Sequence, residues 1–245
     1  MSRLQWDHIG KRFYETGVDR VVLYVNNSTS PWSGITAINE STSGAEPTKI
    51  YADNIVYGVV MSPEEVSVTI ESFGYPDLFN QCIGKNYIMP GVYIGQQRRV
   101  PFGLCWRTMI GNDISNDAGY KIHIAPFLQA SPSEDANNTI NDSPEQKQYS
   151  WNSTAIPTNV GYNRNTSIIV LDSRWYDKNG LRTALTKIEN ILYGNNGNDP
   201  RIITLDEIEA IVRDSAASLE NLLDNLGNFI VDDSYNPILT ASYTV

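Results

Sequence analysis

EEVSVTIES, residues 64 to 72, alternates along its length: Val66, Val68 and Ile70 fall on one side of an extended chain, and Glu65, Ser67, Thr69 and Glu71 on the other. Successive side chains of a strand point to opposite faces, so the stretch predicts a strand with one face in a core and one in water. VVLYV at 21 to 25 is apolar throughout and predicts a strand buried on both sides. QRRVPFGLCWRTMI at 97 to 110 and YKIHIAPFLQA at 120 to 130 predict two strands joined by the turn-rich GNDISNDAG, with Tyr120, Ile122 and Ile124 facing the core. KQYSWNSTAI at 147 to 156 and SIIVLD at 167 to 172 add two more, so residues 20 to 172 read as seven or eight strands of a mainly β chain.

Helical spacing enters only near the end. In LRTALTKIENILYG, Leu181, Leu185, Ile188 and Leu192 recur on one face and Gly194 supplies a stop, which predicts a short helix flanking the sheet. Thr204 and Glu207 form a capping box ahead of a second apolar stripe, from Leu205 and Ile208 through Leu226, ending at Gly227. Residues 228 to 245 read again as extended. The chain divides accordingly into a main domain at 1 to 200 and a C-terminal helix-plus-extended arm at 201 to 245, α+β in class.

At 245 residues and 41% apolar content the chain can bury a core without metal or disulfide staples. No run of about 18 apolar residues suits a membrane span, and the start has no signal-peptide core, so the expectation is a product made in a cytoplasm. Cys82 and Cys105 are then expected as free thiols in the core. Net charge is -10, and residues 201 to 245 carry Arg201 and Arg213 against eight acidic residues. Without a basic cluster, affinity for nucleic acid is not expected.

Catalysis has little to work with. The histidines are His8 and His123, neither in a nucleophile motif, and His123 falls on the polar face of its strand, where it reads as a surface or interface residue. His8, Cys82, Cys105 and His123 lack the close spacings of a zinc site, and DISNDAG at 113 to 119 fails the spacing of a calcium loop. Phosphate-cradling glycine motifs are absent. The expectation is no enzyme, no cofactor and no metal.

Several segments taken together resemble the major tail protein family of siphophages: WDHIGKRFYETGVDRVVLYV, PWSGITAINESTSGAEPTKIYADNIVYG, MSPEEVSVTIESFGYPDLFNQCIG, IGQQRRVPFGLCWRTMIGND and GYKIHI, in the family's order over about residues 6 to 200. The resemblance implies a tail-tube-type β-sandwich or half-barrel with a flanking helix, closing as a hexamer into a ring barrel. It further implies rings stacked into a non-contractile tube in the virion, assembled around a tape-measure protein and bounded by tail terminator and distal tail proteins. DNA passes through such a lumen without specific binding. The arm at 201 to 245 departs from the family pattern and is expected to reach a neighbouring ring or to lie outside.

On that reading the candidate subunit contacts are Glu46, Tyr51 and Asp53 in a long loop at 40 to 54, and Trp6, Phe13 and Tyr14 in the N-terminal segment; packing within the domain is the alternative for the aromatics. Glu65 and Glu71, on the wet face of 64 to 72, are candidates for the lumen wall, although any exposed strand shows the same pattern. A carbohydrate-binding β-sandwich and a small carboxylate hydrolase are the competing functions, and no motif supports either.

Overall fold

The structure, a computed structural model, describes residues 6 to 220 apart from 45, 138, 140 to 145 and 160 to 164. Along these residues run β1 (Phe13–Val25), β2 (Ser28–Pro31), β3 (Ile35–Gly44), β4 (Pro47–Ala52), β5 (Ile55–Met61), β6 (Glu64–Ser72), β7 (Asn86–Met89), β8 (Val92–Ile94), β9 (Phe102–Asn112), β10 (Gly119–Ala130), β11 (Tyr149–Ala155) and β12 (Ile169–Asp172). The helices α1 (Ser173–Lys178), α2 (Arg182–Tyr193) and α3 (Leu205–Glu220) follow, and a 3-10 turn at Asp77–Gln81 lies between β6 and β7. The chain is mainly β with few helices.

Eight of the described strands form one antiparallel sheet in the order β2-β1-β9-β10-β11-β6-β3, with β12 beside β10. Strand β10 changes partner along its length: β12 pairs with Lys121 to Ile124 and β11 with Leu128 to Ala130. A register shift between Ala125 and Leu128 separates the two halves.

The apolar run of β1 serves two cores. Val21, Leu23 and Val25 belong to one cluster with Val68 and Ile70 of β6, Leu104 and Trp106 of β9, and Trp151 of β11. Strands far apart in the sheet order therefore share one interior, which requires the sheet to curl around it as a half-barrel. Trp32, Phe79, Trp151 and Phe102 fill the centre, with Phe79 4.5 Å from Trp32 and 5.2 Å from Trp151 between ring centroids. Val22 and Tyr24 point the other way, into a second cluster formed by Ile122, Ile124, Leu171 and the helix residues Leu185, Ile188 and Leu192. The Tyr24 hydroxyl donates to the Leu192 carbonyl at 2.6 Å and ties α2 to the sheet.

The expected strands at 64 to 72, 120 to 130, 147 to 156 and 167 to 172 are present within a residue or two, the one at 21 to 25 is the last part of β1, which begins eight residues earlier at Phe13, and α2 covers the sheet as its spacing predicts. Three expectations need correction. Strand β9 begins at Phe102, because Pro101 has no N–H to give to a ladder. Residues 40 to 54 are not a long loop: they carry the end of β3, all of β4 and a tight turn. The strands outnumber the seven or eight expected, since the sequence reading does not single out as strands the stretches that form β2, β3, β4, β5, β7 and β8. Ile203 and Ile208 enter the second cluster, so the first turns of the expected arm pack against α2; the expected helix end at Gly227 and the extended segment 228 to 245 lie outside the described residues.

Candidate assembly surfaces

Strands β3 and β6 pair from Ile35 opposite Ser72 to Gly44 opposite Glu64, and β4 and β5 continue from Pro47 opposite Met61 to Ala52 opposite Ile55. The four strands form one two-stranded ribbon, interrupted near Gly44 and Pro63. Gly44 has a φ of +88°, and a Cβ there would stand 2.4 Å from the Pro63 carbonyl oxygen. Only glycine fits this position. At the far end Asp53 and Asn54 both have positive φ, 49° and 63°, the requirement of a type I′ hairpin turn. The distal arm β4–β5 extends about 20 Å at the usual strand rise.

The two parts of the ribbon have different surfaces. On β6, Val68 and Ile70 are fully buried, while Glu65 is exposed and Ser67, Thr69 and Glu71 are half-buried on the outer side. Register places Ser43, Ser41, Asn39 and Ala37 of β3 opposite these outer residues, and Thr154, Asn152 and Ser150 of β11 opposite Ser67, Thr69 and Glu71. The outer face of β3-β6-β11 is thus a carpet of hydroxyls and amides in which Glu65 and Glu71 carry charge.

Beyond the bend this alternation stops. Lys49, Tyr51, Val56 and Val59 share one side of the β4–β5 arm, and Ile50, Ile55 and Val60 share the other. Both sides are open: Tyr51 is 66%, Ile55 64%, Val59 54% and Val60 56% exposed. A second apolar hairpin, β7–β8, turns at Gly91 and exposes Tyr87, Ile88, Met89 and Tyr93. At its base lies a cleft of about 570 Å³ lined by Phe73, Tyr75, Lys85, Tyr93, Ile94 and Tyr149, among others, with Asp77 and Asn80 on its wall.

The contact residues expected from sequence fall into two groups. Glu46, Tyr51 and Asp53 are exposed on the long ribbon, with Asp53 at its tip. Trp6 is 75% exposed ahead of β1. Phe13 and Tyr14 are half-exposed but have partners inside the domain: the Arg174 guanidinium lies 4.6 Å from the Phe13 ring centre, and the Tyr14 hydroxyl donates to Asn116 Oδ1 at 2.7 Å. Glu71 Oε2 accepts from Gln148 Nε2 at 3.1 Å. Sequence reading missed the exposed apolar residues of β5 and of the β7–β8 hairpin, although the run IVYGVVM and the Pro90-Gly91 turn between NYIM and VYI were signals that could have found them.

His123 does not lie on an outer polar face. Its ring stacks on Trp106 at 5.2 Å, and Nε2 is 3.1 Å from Thr108 Oγ1. Glu40 Oε1 lies 3.0 Å from Nδ1, at an angle too oblique for a hydrogen bond. Glu40 is on edge strand β3, so this contact also records the curl that brings β3 over β10. Cys82 and Cys105 are buried and unbridged. Burial pushes both thiols up to about 12, so neither is a nucleophile near neutral pH. Among the described residues no three His, Cys, Asp or Glu side chains converge as metal ligands, and no helix is long and apolar enough to cross a membrane.

No protein-family model matches the chain, and no curated protein matches it closely enough to count as a relative. Among solved structures, a chain of the PVC sheath-tube complex of an extracellular contractile injection system, in its extended state, aligns at 12% identity over 69% of this chain and 94% of that one, with a TM-score of 0.28. A chain of the PVC sheath/tube terminator of such a system aligns at 12% identity over 69% and 99%, with a TM-score of 0.26. Superpositions this loose do not decide between functions.

Proposed function

We propose that this chain is a structural subunit of a non-contractile phage tail tube, six copies closing into a ring and rings stacking into a hollow conduit in the virion. The observation that carries the reading is the long ribbon β3-β4-β5-β6, whose distal half holds a mainly apolar surface out into solvent, with Thr48 and Lys49 as its polar positions. Exposed apolar area on that scale marks a surface meant for a partner. Two unlike apolar surfaces on one chain, the arm and the β7–β8 hairpin, suit head-to-tail contacts, which give rings when the rotation closes and filaments when it does not. The ordered resemblance to tail tube segments supplies the rest: assembly around a tape-measure protein, terminator and distal tail proteins at the ends, and passage of DNA.

The carpet on β3-β6-β11 suits the lumen wall. Its hydroxyls and amides offer no cationic hold on phosphate, and Glu65 and Glu71 repel it at short range. The arm from 201 onward, anchored by Ile203 and Ile208, is assigned to a neighbouring ring or the outer surface.

A carbohydrate-binding module is the second reading, favoured by the aromatic cleft with Asp77 and Asn80 on its wall. It leaves the exposed arm without a purpose. Negative-stain electron microscopy of the purified chain across a concentration series separates the two. Hollow tubes or stacked rings are expected. A protein that stays monomeric at every concentration and binds glycans would overturn the tube assignment.

A further inference from the structure

We infer that the β4–β5 arm is held between other copies of this chain with both of its faces buried, and that it does not form part of the lumen wall. The inference rests on the tail-tube reading and specifies how the subunits engage.

A strand with one wet face alternates apolar and polar residues, whereas a strand covered on both faces reads as a continuous apolar run. The proximal ribbon follows the first rule: Val68 and Ile70 point inward and Glu65, Ser67, Thr69 and Glu71 outward. Across the bend at Gly44 and Pro63 strand β5 follows the second, since IVYGVVM carries apolar or aromatic side chains on both sides, while its partner β4 adds Thr48 to one face and Lys49 to the other. Val59 and Val60 are adjacent, point to opposite faces, and are 54% and 56% exposed. A lone two-stranded hairpin is marginal in water, so an arm with two open apolar faces needs cover on both.

The occupant is a second copy of the chain for two reasons. Ile50, Tyr51, Ile55, Tyr57, Val59 and Val60 hold an open, mainly apolar surface on both sides of the arm, of the kind that a stable interface between copies covers. The same chain also presents an aromatic cleft on another part of its surface, with Asp77 on its wall for Lys49 of an incoming arm and Lys85, which also pairs with Asp135 at 3.7 Å, for Asp53.

The test uses the two valines as a pair. Cys82 and Cys105 are fully buried, so Val59→Cys and Val60→Cys each add a single reactive thiol of nearly the same size and polarity. Both variants are labelled by a maleimide before assembly. After assembly, labelling at both positions is expected to be lost. Loss at one position with full labelling at the other means one face is wet and overturns the inference while leaving the tube intact. If the unmodified chain forms no tubes or rings, the tail-tube reading itself falls, and the inference with it.

Discussion

Arg107 grips Asp19 with two parallel hydrogen bonds, Nε to Oδ1 at 2.7 Å and Nη2 to Oδ2 at 2.5 Å, between residues that face each other across the β1–β9 pairing. The pair sits between two register shifts in β1, where the ladder is broken and side chains take over part of its work. The guanidinium also lies 5.0 Å from the Tyr120 ring centre, under α2. The contact thus joins a weak point of the sheet to the helical layer.

Bonding to Arg107 holds the Asp19 carboxyl below its ordinary value. A lowered folded pKa adds stability that is present above the unfolded-state carboxylate value, about 3.9, and is lost as pH falls through the lower folded value. Asp19→Asn is expected to cost about 1–2 kcal/mol at pH 7, a figure kept low because the carboxylate is partly exposed. The gap from the unsubstituted chain should narrow below about pH 4, where the unfolded chain takes up the proton. Urea unfolding at pH 7 and pH 3.5 measures both; a gap of the same size at the two pH values would refute the assignment.

The buried thiols act at the opposite end of the pH scale. Cys82 and Cys105 are raised by burial to about 12 in the folded chain. A raised folded pKa gives stability that is complete below the unfolded value, about 8.5, and declines as pH rises through the window to about 12. The native chain is expected to show no fast-reacting thiol with a thiol-specific disulfide reagent at pH 8, and two after unfolding. A fast-reacting native thiol would mean that one of the cores is open to solvent.

Thr204 and Glu207 close the capping box that the sequence predicts: Thr204 N donates to Glu207 Oε2 at 3.1 Å, and Glu207 N to Thr204 Oγ1 at 3.4 Å. Arg201 adds two hydrogen bonds to the Glu207 carboxylate and lowers its pKa. Thr204→Ala is expected to cost about 1 kcal/mol. Because Ile203 and Ile208 are both core residues, that loss should register in global thermal unfolding, not only in local fraying. A melting temperature unchanged by the substitution would show that α3 folds independently of the sheet.

The box was legible because all its parts lie within four residues, and the strand at 64 to 72 because one face of it meets the core and the other meets water. What stayed hidden depends on distant partners. The polar carpet is assembled from residues 39 to 43, 65 to 71 and 150 to 154, and only the register of β3, β6 and β11 sets their outer faces side by side. His123 occupies the polar slot of an alternating strand, yet the curl of the sheet closes over that slot and stacks it on Trp106. The β4–β5 arm reads as loop because TSGAEP at 42 to 47 looks like a connection, whereas Thr42, Ser43 and Gly44 end β3 and Pro47 begins β4 beyond the bend.

That bend separates folding from assembly. Gly44→Ala forces a Cβ to within 2.4 Å of the Pro63 oxygen at a φ of +88°, so the ribbon must re-aim its distal half. Gly44 and the arm are exposed, and the cores lie elsewhere. The variant is expected to keep its far-ultraviolet circular dichroism, to lose about 1–3 kcal/mol of stability, and to assemble poorly or not at all. Normal tubes from a normally folded Gly44→Ala protein would show that the direction of the arm does not matter.

The proposed lumen face makes the most direct prediction about delivery of DNA. Glu65 is exposed and Glu71 makes its hydrogen bond to Gln148 at the surface, so Glu65→Lys with Glu71→Lys should leave the fold and the tube intact. The substitution turns a weakly repulsive wall into one that attracts phosphate at every subunit. Attraction between charges is screened beyond about 8 Å at physiological ionic strength and reaches about 30 Å at 0.01 M. Ejection from phage carrying the double variant should therefore be slow, and slowest at low salt, because each neutralised phosphate adds to the salt dependence of binding. A face on the outside of the tube never meets the genome. Ejection at the unsubstituted rate across the whole salt range would place β3-β6-β11 there and return the lumen to another part of the sheet.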